Sequence, residues 1–403
     1  MEMVLEFLRD VLSQPALLIG IMSCIGLIAL KRPFHKIMTG TLKPILGYLM
    51  LAAGAGVIVS NLDPLGKMIE HGFHITGVVP NNEAIVAVAQ KVLGVETMSI
   101  LVVGLLMNLC IARFTKFKYV FLTGHHSLFM ACLMSAVLGT AGLSGMELIL
   151  VGGFLMGAWS AISPAIGQSY TSKVTDGDEI AIGHFGSLGY YLSAWVAKYV
   201  GKAEDSTEDI EIPEKWGFLR DSTLSTALTM IVFYLIAAFA AGSEFVATLS
   251  GDMSPYLYAV MSAMNFAVGV TIVYSGVRMI LGDLIPAFQG IATKIIPNAI
   301  PAVDCAVFFT YAPTAVVLGF LSSFIGGIIG MLILGAIGGV LIIPGLVPHF
   351  FCGATAGIYG NATGGRRGAA VGAFLNGLAI TFLPALALPV LGQLGFQNTT
   401  FGD

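Results

Sequence analysis

The sequence predicts an all-α polytopic membrane protein, on two observations about its composition. Of its 403 residues, 56% are hydrophobic and 10% are charged, whereas soluble domains are roughly 25% charged. The mean hydropathy is +0.89, and the apolar residues form long runs. Because one crossing takes about 20 apolar residues, the chain has room for about 10–11 transmembrane helices. The net charge of −4 argues against a nucleic-acid-binding protein, which would be basic.

The apolar runs divide into two sets of predicted spans. The first set lies near 15–30, 44–60, 96–112, 119–139 and 146–162, and the second near 222–242, 256–279, 305–321, 322–343 and 368–392. Between the sets, segment 201–221 holds ten charged residues of a chain that has 19 basic and 23 acidic ones, so it is predicted to be a solvated linker. The predicted domains are a first repeat at 1–200, this linker, and a second repeat at 222–403.

Lysine and arginine set the predicted orientation, because loops rich in them stay in the cytoplasm. They cluster at 31–43, at 113–118 and at the start of the linker, whereas 140–145 and 243–255 have none. Span one is therefore predicted to run from outside to inside, and the linker to lie in the cytoplasm. With an odd number of spans per half, the second half enters the membrane in the opposite sense. This predicts two inverted repeats of five spans, the common plan of secondary transporters.

Two carboxylates occupy corresponding places in the predicted halves. Glu83 follows span two and a Leu-Asp-Pro motif at 62–64, and Asp304 follows span seven and a Leu-Ile-Pro motif at 284–286. A carboxylate at membrane depth is costly and usually faces a cavity, a ligand or a partner, and the prolines beside Asp304 favour a site built from broken helices. The alternative is a solvated carboxylate at the start of a helix, where the helix dipole favours it.

Two further segments, 163–200 and 346–367, are too polar for lipid and too apolar for an exposed loop. Both are rich in glycine, serine, threonine and proline, and they occupy the same place in the two halves. They are predicted to be re-entrant hairpins, which membranes tolerate only where protein or a water-filled cavity covers them.

Three histidines are candidates for binding a polar ligand. His125 and His126 begin the fourth predicted span, and His184 lies inside the first predicted hairpin. A neutral histidine both donates and accepts a hydrogen bond, which suits a substrate with several hydroxyl groups. The alternative for each is an interfacial residue or one satisfied within the protein. The sequence has no HxxxH, HExxH or Cys/His cluster, so neither a metal nor another cofactor is predicted.

A series of short motifs runs through the chain. They are LTGH at 122–125, KVTDG at 173–177, IGH at 182–184, AVDC with APTAVVLGF at 302–320, and LIIPG at 341–345. Together with the acidic linker they resemble the ascorbate-type enzyme IIC permeases of the bacterial phosphotransferase system (PTS), from about residue 15 to 385. The resemblance implies a homodimer in the bacterial cytoplasmic (inner) membrane. It also implies a V-shaped scaffold and a mobile core domain that works by an elevator motion.

The resemblance also implies which residues bind the substrate. Those at matching positions in the histidine and aspartate motifs and in the first repeat are His125, His184, Asp304, Glu83 and Ala84. Where ascorbate permeases carry glutamines after both histidine motifs, this chain has Phe129-Met130 and Phe185-Gly186. Phe185 therefore enters the predicted site as an apolar group. Because hydrogen bonds to hydroxyl groups discriminate strongly between substrates, the predicted substrate is ascorbate or a related sugar, sugar acid or polyol.

By resemblance, the predicted function is the membrane transport subunit of a PTS. The chain would translocate its substrate, and a separate cytosolic IIB protein, supplied by a IIA protein, would phosphorylate it; the chain alone is not catalytic. The alternative is a proton- or sodium-coupled transporter of a small polar solute on the same frame, in which Asp304 and Glu83 would bind the ion.

Overall fold

The computed structural model describes residues 10–11, 14–74, 77–78, 80, 82–210, 222–392 and 400–402. Helices dominate these residues. Six of the described helices are long and apolar enough to cross a membrane, or seven if a bent pair counts as one span. The class predicted from composition, an α-helical polytopic membrane protein, is therefore confirmed, with fewer spans among the described residues than the sequence predicted.

The elements have the following bounds. In chain order the described helices are α1 (Pro15–Ala29), α2 (Phe34–Gly72), α3 (Asn82–Phe114), α4 (Gly124–Thr140), α5 (Gly145–Thr175), α6 (Ser187–Val200), α7 (Ser222–Ala241), α8 (Ser243–Ser250), α9 (Pro255–Lys294), α10 (Pro313–Ala336) and α11 (Leu346–Gly392). Short strands lie among them, β1 (Tyr119–Phe121), β2 (Ala181–Ile182) and β3 (Ile300–Val303), and β3 leads into a 3₁₀ helix at Cys305–Thr310.

Helices α2 and α9 form a long antiparallel pair. With 39 and 40 residues, each is about 60 Å long at 1.5 Å per residue, roughly twice the hydrocarbon thickness of a bilayer. A Cβ atom on Gly47 would lie 2.9 Å from the Gly276 carbonyl oxygen, and one on Gly54 would lie 2.8 Å from the Gly269 oxygen. The two backbones therefore touch at small residues, as is usual for helices that pack in lipid.

Predicted spans two and seven were too short. The prediction ended them at residues 60 and 279, before Pro64 and Pro286, but both prolines lie inside the helices. In a membrane protein, neighbouring helices and local adjustments satisfy the backbone groups that a proline frees. A proline in an apolar run is therefore a weaker stop signal here than in a soluble helix.

The close contact between α2 and α9 predicts that a methyl group added at one of its glycines destabilises the protein. Gly276→Ala would place the new Cβ 2.6 Å from the Gly47 oxygen and from the Leu51 nitrogen, so the backbones must separate. We expect a loss of about 1–3 kcal/mol of stability, the usual cost of overpacking, seen as a lower melting temperature in detergent. Gly56→Ala is the matched control: nothing lies within 4 Å of its Cβ, so it should melt at or above the wild-type temperature. Equal melting of both variants would contradict this packing.

The strands form a parallel sheet in the order β1-β3-β2. Val120 lies opposite Pro301, and Ala181 lies opposite Ala302, so β3 is central and both of its neighbours come from the first half of the chain. Residues 119–139 were predicted to form one span, whereas the structure divides them into β1 and α4. That prediction was wrong because a short apolar run does not distinguish a strand from a buried helical segment.

Two amide side chains close the outer edges of this small sheet. Asn108 of α3, which is 1% exposed, donates from Nδ2 to Tyr119 O at 3.1 Å and accepts at Oδ1 from Phe121 N at 3.0 Å. On the other edge, Gln168 of α5 donates from Nε2 to Ile180 O at 3.2 Å. Unpaired backbone groups are expensive away from water. These amides therefore stabilise an open sheet inside a helical membrane protein.

The second half contains one helix where two spans were predicted. The prediction placed spans at 305–321 and 322–343, but the structure has the 3₁₀ helix followed by α10, which begins at Pro313. The apolar run is continuous, so its composition does not show where a helix starts. Proline at the first helical position is the signal that marks the true start.

Helix α11 is a hairpin of two helical arms. Its backbone leaves helical geometry at the Gly-Gly pair 364–365, with φ of 59° at the second glycine. A Cβ on Gly360 would collide with the Gly368 carbonyl, so the chain reverses direction there. The segment 346–367, predicted as a re-entrant hairpin, therefore forms the first arm and the turn. The last predicted span, 368–392, forms the second arm.

Segment 163–200, the other predicted hairpin, contains two helices and a strand. Helix α5 continues through Pro164 to Thr175, so the fifth predicted span ended too early. The chain then returns through β2 and enters α6. The Tyr191 hydroxyl donates to Ser163 O at 2.8 Å, which packs α6 beside the C-terminal half of α5.

The start of the predicted linker packs on the second half of the chain. Thr207 N donates to Asn361 Oδ1 at 2.9 Å, and the Glu208 carboxylate accepts from Thr314 N at 3.1 Å. These bonds join the linker to the turn of α11 and to the first turn of α10. The rest of the linker, 211–221, lies outside the described residues, and the division of the chain into two repeats stays a prediction.

Candidate functional site

Predicted site residues follow shortly after the end of each strand of the sheet. β1 precedes His125 and His126, β2 precedes His184, and β3 precedes Asp304. The carboxyl ends of parallel strands lie at the same edge of a sheet, where ligands commonly bind. Asp304 stands in the middle of this edge because β3 is the central strand.

A cavity of about 1330 Å³ opens at this edge of the sheet. Its polar lining on the sheet side includes His126, His184, Asp304 and Cys305. Pockets for small molecules usually measure about 300–1000 Å³. The cavity therefore has room for a small polar solute together with water.

Asp304 is held by its own backbone neighbours and by one side chain of α2. Its Oδ1 accepts from Ala306 N at 3.2 Å, which caps the 3₁₀ helix. The Tyr48 hydroxyl is hydrogen-bonded to the carboxyl group. Asp304 is 8% exposed and lines the cavity. A carboxylate fixed in this way can accept hydrogen bonds from the hydroxyl groups of a ligand.

His184 is fixed in one tautomer by its neighbours. Its Nδ1 accepts from Gly186 N at 3.0 Å and lies 3.0 Å from the Tyr190 hydroxyl oxygen. Since a backbone N–H can only donate, Nδ1 carries no proton in the neutral ring and Nε2 carries it. His184 lines the cavity although it is only 2% exposed. It therefore brings an N–H donor to the cavity wall.

His126 also reaches this site. Its ring centroid lies 3.9 Å from that of His184, with the planes 52° apart. One turn further along α4, Phe129 meets His126 edge-on at 5.6 Å between ring centroids, and both side chains line the cavity. The family resemblance selected His125 instead. The side chain of His125 lies outside the described residues, so its role in binding stays a prediction.

The facing wall of the cavity is one stripe of α2. Its residues recur at helical spacing and are Tyr48, Leu51, Ala52, Ala55, Val59 and Leu62, followed by Asp63, Lys67 and Glu70. The wall is apolar beside the site and charged toward the C-terminal end of α2. The sequence gives no sign of this wall because nearly every position of a membrane helix is apolar, which hides the period that marks a facing stripe.

Two predicted site residues, Glu83 and Ala84, lie in the first turn of α3. Their side chains are outside the described part of the chain, so their role stays a prediction. Their neighbour Asn82 does line the cavity, which brings the start of α3 to the site.

Phe185 lies beside His184 but is absent from the described residues that line the cavity. Its ring centroid is 5.8 Å from that of Phe401, and it packs against the cluster that Phe401 forms with Cys132, Ala136 and Leu391. In this structure Phe185 supports the loop that carries His184. A direct contact between Phe185 and a substrate stays a prediction.

The arrangement is suited to binding a solute. Asp304 offers an acceptor, His184 offers a donor, and the rings of Phe129 and Phe351 line the same cavity and can pack on the C–H faces of a ligand. In the part of the chain that the structure describes, no group of three or more His, Cys, Asp and Glu side chains is placed to hold a metal ion.

The helical membrane fold and the cavity at the sheet edge indicate a permease. Its polar groups converge inside the protein, where a solute can exchange its hydration for fixed hydrogen bonds. The chain belongs to the family of PTS system sugar-specific permease components, whose family model (EIIC-GAT) matches residues 10–403. The family resemblance indicated by the short motifs is thereby confirmed.

A known relative is the ascorbate-specific PTS system EIIC component of Mycoplasma pneumoniae (strain ATCC 29342 / M129 / Subtype 1), which is 28% identical over 417 aligned residues. The alignment covers 88% of this chain and 62% of the relative. The chain thus spans about three fifths of the length of that protein.

Proposed function

We propose that the chain is the membrane-embedded permease subunit of a PTS and carries ascorbate or a related sugar, sugar acid or polyol. One observation carries the proposal: Asp304, His126 and His184 come from three strand ends in both halves of the chain and meet at one cavity. Membership of the family supports a sugar-type substrate, and the ascorbate-specific relative supports ascorbate as the first compound to test.

Substrate binding follows from the donors and acceptors around the cavity. Asp304 accepts a hydrogen bond from a substrate hydroxyl, and His184 donates from Nε2 to a substrate oxygen. Tyr48 orients the carboxyl group of Asp304 from the opposite wall. A solute without matching hydroxyl groups would not form these hydrogen bonds, each of which contributes about 0.5–1.5 kcal/mol, or more at the charged carboxylate. The site therefore favours polyhydroxy compounds over apolar compounds of the same size.

The proposed partners are a cytosolic IIB protein and the IIA protein that supplies it with a phosphoryl group. In the transfer step, the bond between phosphorus and the donor residue of IIB breaks as a substrate hydroxyl forms a new P–O bond and loses its proton. The product carries added negative charge. Its return past the apolar stripe of α2 is then costly, because a charge loses its hydration there.

We also propose an elevator motion, in which the mobile core domain that carries Asp304 and His184 slides along α2. The stripe of α2 beside the site is apolar between Leu51 and Leu62, so sliding past it breaks few hydrogen bonds, although the Tyr48–Asp304 bond must open. The matched lengths of α2 and α9 and their antiparallel glycine contacts favour corresponding helices of two inverted repeats. A homodimer in the bacterial cytoplasmic membrane, with a V-shaped scaffold, completes the proposal.

Membrane vesicles distinguish this proposal from an ion-coupled transporter. Vesicles that contain the chain are loaded with phosphoenolpyruvate and with the soluble PTS proteins, including IIA and IIB. We expect labelled ascorbate, or another member of a sugar, sugar-acid and polyol panel, to accumulate as a phosphate ester. Omission of IIB should abolish the signal, and a protonophore should leave it unchanged. Gradient-driven uptake of unmodified solute would overturn the proposal in favour of proton or sodium coupling.

A further inference from the structure

Residues 400–402, Thr-Phe-Gly, fold back against the helices that carry the site. Helix α11 ends at Gly392, yet Thr400 is 0% exposed and its hydroxyl donates to Pro384 O at 3.1 Å, inside the second arm of that helix. We call these three residues the 400–402 segment. It packs within the protein instead of extending away from α11.

The central residue of the 400–402 segment anchors it in the apolar interior. Phe401 is 5% exposed and packs in a cluster with Cys132 and Ala136 of α4 and Leu391 of α11. Its ring centroid lies 5.8 Å from that of Phe185. Phe185 directly follows His184, so the Phe401 ring supports the loop that holds this histidine at the cavity.

The last residue of the segment reaches the cavity itself. Gly402 N donates to Asn82 Oδ1 at 2.8 Å across 320 positions of sequence, and both residues line the cavity. A Cβ on Gly402 would lie 2.8 Å from Pro348 Cγ, so the segment also contacts the start of α11. Glycine is needed here because the approach to Pro348 leaves no space for a side chain.

The segment therefore touches three separate parts of the cavity wall: the loop after β2, the start of α3 and the start of α11. We infer that the 400–402 segment positions the substrate site by fixing these parts relative to one another, with Phe401 and Gly402 as positioning residues. The inference rests on the proposed function, because the ligand concerned is the solute of the same cavity. Its physical basis is preorganisation: a loop that is already ordered loses less entropy when the ligand binds.

The test compares ligand binding by Phe401→Ala, Phe401→Leu and Leu386→Ala in detergent. The ligand is ascorbate, or the member of the panel that binds the wild-type protein. Phe401→Ala should raise Kd about tenfold by loosening the His184 loop, whereas Phe401→Leu keeps most of the apolar volume and should stay within about threefold. Leu386 is 73% exposed on the same arm of α11, so Leu386→Ala is the matched control and should bind like the wild type.

A second readout separates positioning from a general loss of stability. Gly186 N–H is bonded to His184 Nδ1, so hydrogen exchange in a peptide that covers 183–187 reports on this loop without any ligand. Phe401→Ala should accelerate exchange in this peptide and leave the α2–α9 crossing protected. If Phe401→Ala does not yield folded protein, Gly402→Ala takes its place, because its added methyl group pushes the segment away from Pro348. It should likewise raise Kd about tenfold and accelerate exchange at 183–187.

The possible outcomes test the positioning role of the segment and the proposed function separately. Unchanged Kd and unchanged exchange at 183–187 in folded Phe401→Ala would overturn the positioning role. Exchange that rises equally throughout the protein would also overturn it, because the segment would then only stabilise the fold. Absence of binding by the wild-type protein to every member of the panel would refute the proposed function, and the exchange experiment would still decide whether the 400–402 segment orders the His184 loop.

Discussion

Asp304→Asn is expected to weaken ligand binding by about 10- to 100-fold while leaving the fold intact. Hydrogen bonds to a charged group contribute about 1.5–3 kcal/mol, and 1.4 kcal/mol corresponds to a tenfold change in Kd. Asparagine retains a side-chain oxygen, so it can still accept from Ala306 N and cap the 3₁₀ helix. The variant therefore removes the negative charge at the cavity and preserves the local geometry.

Asp283→Asn is the matched control for this prediction. Asp283 Oδ2 lies 3.6 Å from Lys43 Nζ, and 29% of the Asp283 side chain is exposed. Partly exposed ion pairs of this kind contribute little to folding stability. We expect the Kd of Asp283→Asn to stay within about twofold of the wild-type value, because Asp283 does not line the cavity. Isothermal calorimetry on both variants measures the difference. Equal affinity of Asp304→Asn and wild type would remove Asp304 from the site.

His184→Ala and His184→Asn form a pair that separates binding from folding. Both lack the Nε2–H donor, so both should bind the substrate about 2- to 10-fold more weakly. Alanine also removes the acceptor of the Gly186 N–H and of the Tyr190 hydroxyl, and each lost hydrogen bond costs about 0.5–1.5 kcal/mol. The asparagine oxygen occupies a position near that of Nδ1 and can accept from these donors. His184→Asn should therefore melt close to wild type, and His184→Ala well below it.

The contrast between the two variants is the deciding measurement. Ligand affinity and melting temperature are determined on the same purified samples. Recovery of affinity in His184→Asn would show that His184 acts only through its neighbours. His35→Ala, at an exposed position near the start of α2, is the control for loss of a histidine elsewhere and should change neither quantity.

The chemistry of the site was predictable from single residues. A carboxylate at Asp304 and a histidine at His184 stand out in an apolar chain because such groups are costly in lipid unless a cavity or a partner receives them. The short motifs around them then identified the family. By contrast, Tyr48 gave no signal, because an aromatic residue within an apolar helix is usually a packing residue.

The arrangement of the second half was less predictable. The sequence shows one apolar run through 305–343, and only the structure separates it into a 3₁₀ helix and α10. The strand before it was missed for a related reason. A segment of four residues is too short to show a period of two against a period of 3.6.

The sequence by itself determined that this protein lies in a membrane, belongs to a permease family and places a carboxylate and histidines in apolar surroundings, because composition and rare polar residues carry that information locally. Only the tertiary structure decided that three short parallel strands bring Asp304, His126 and His184 to one edge. Only the structure placed Tyr48 and the 400–402 segment around the same cavity. The physical reason is that these contacts join residues far apart in the chain, and their partners are backbone groups and apolar surfaces that look alike at every position of the sequence.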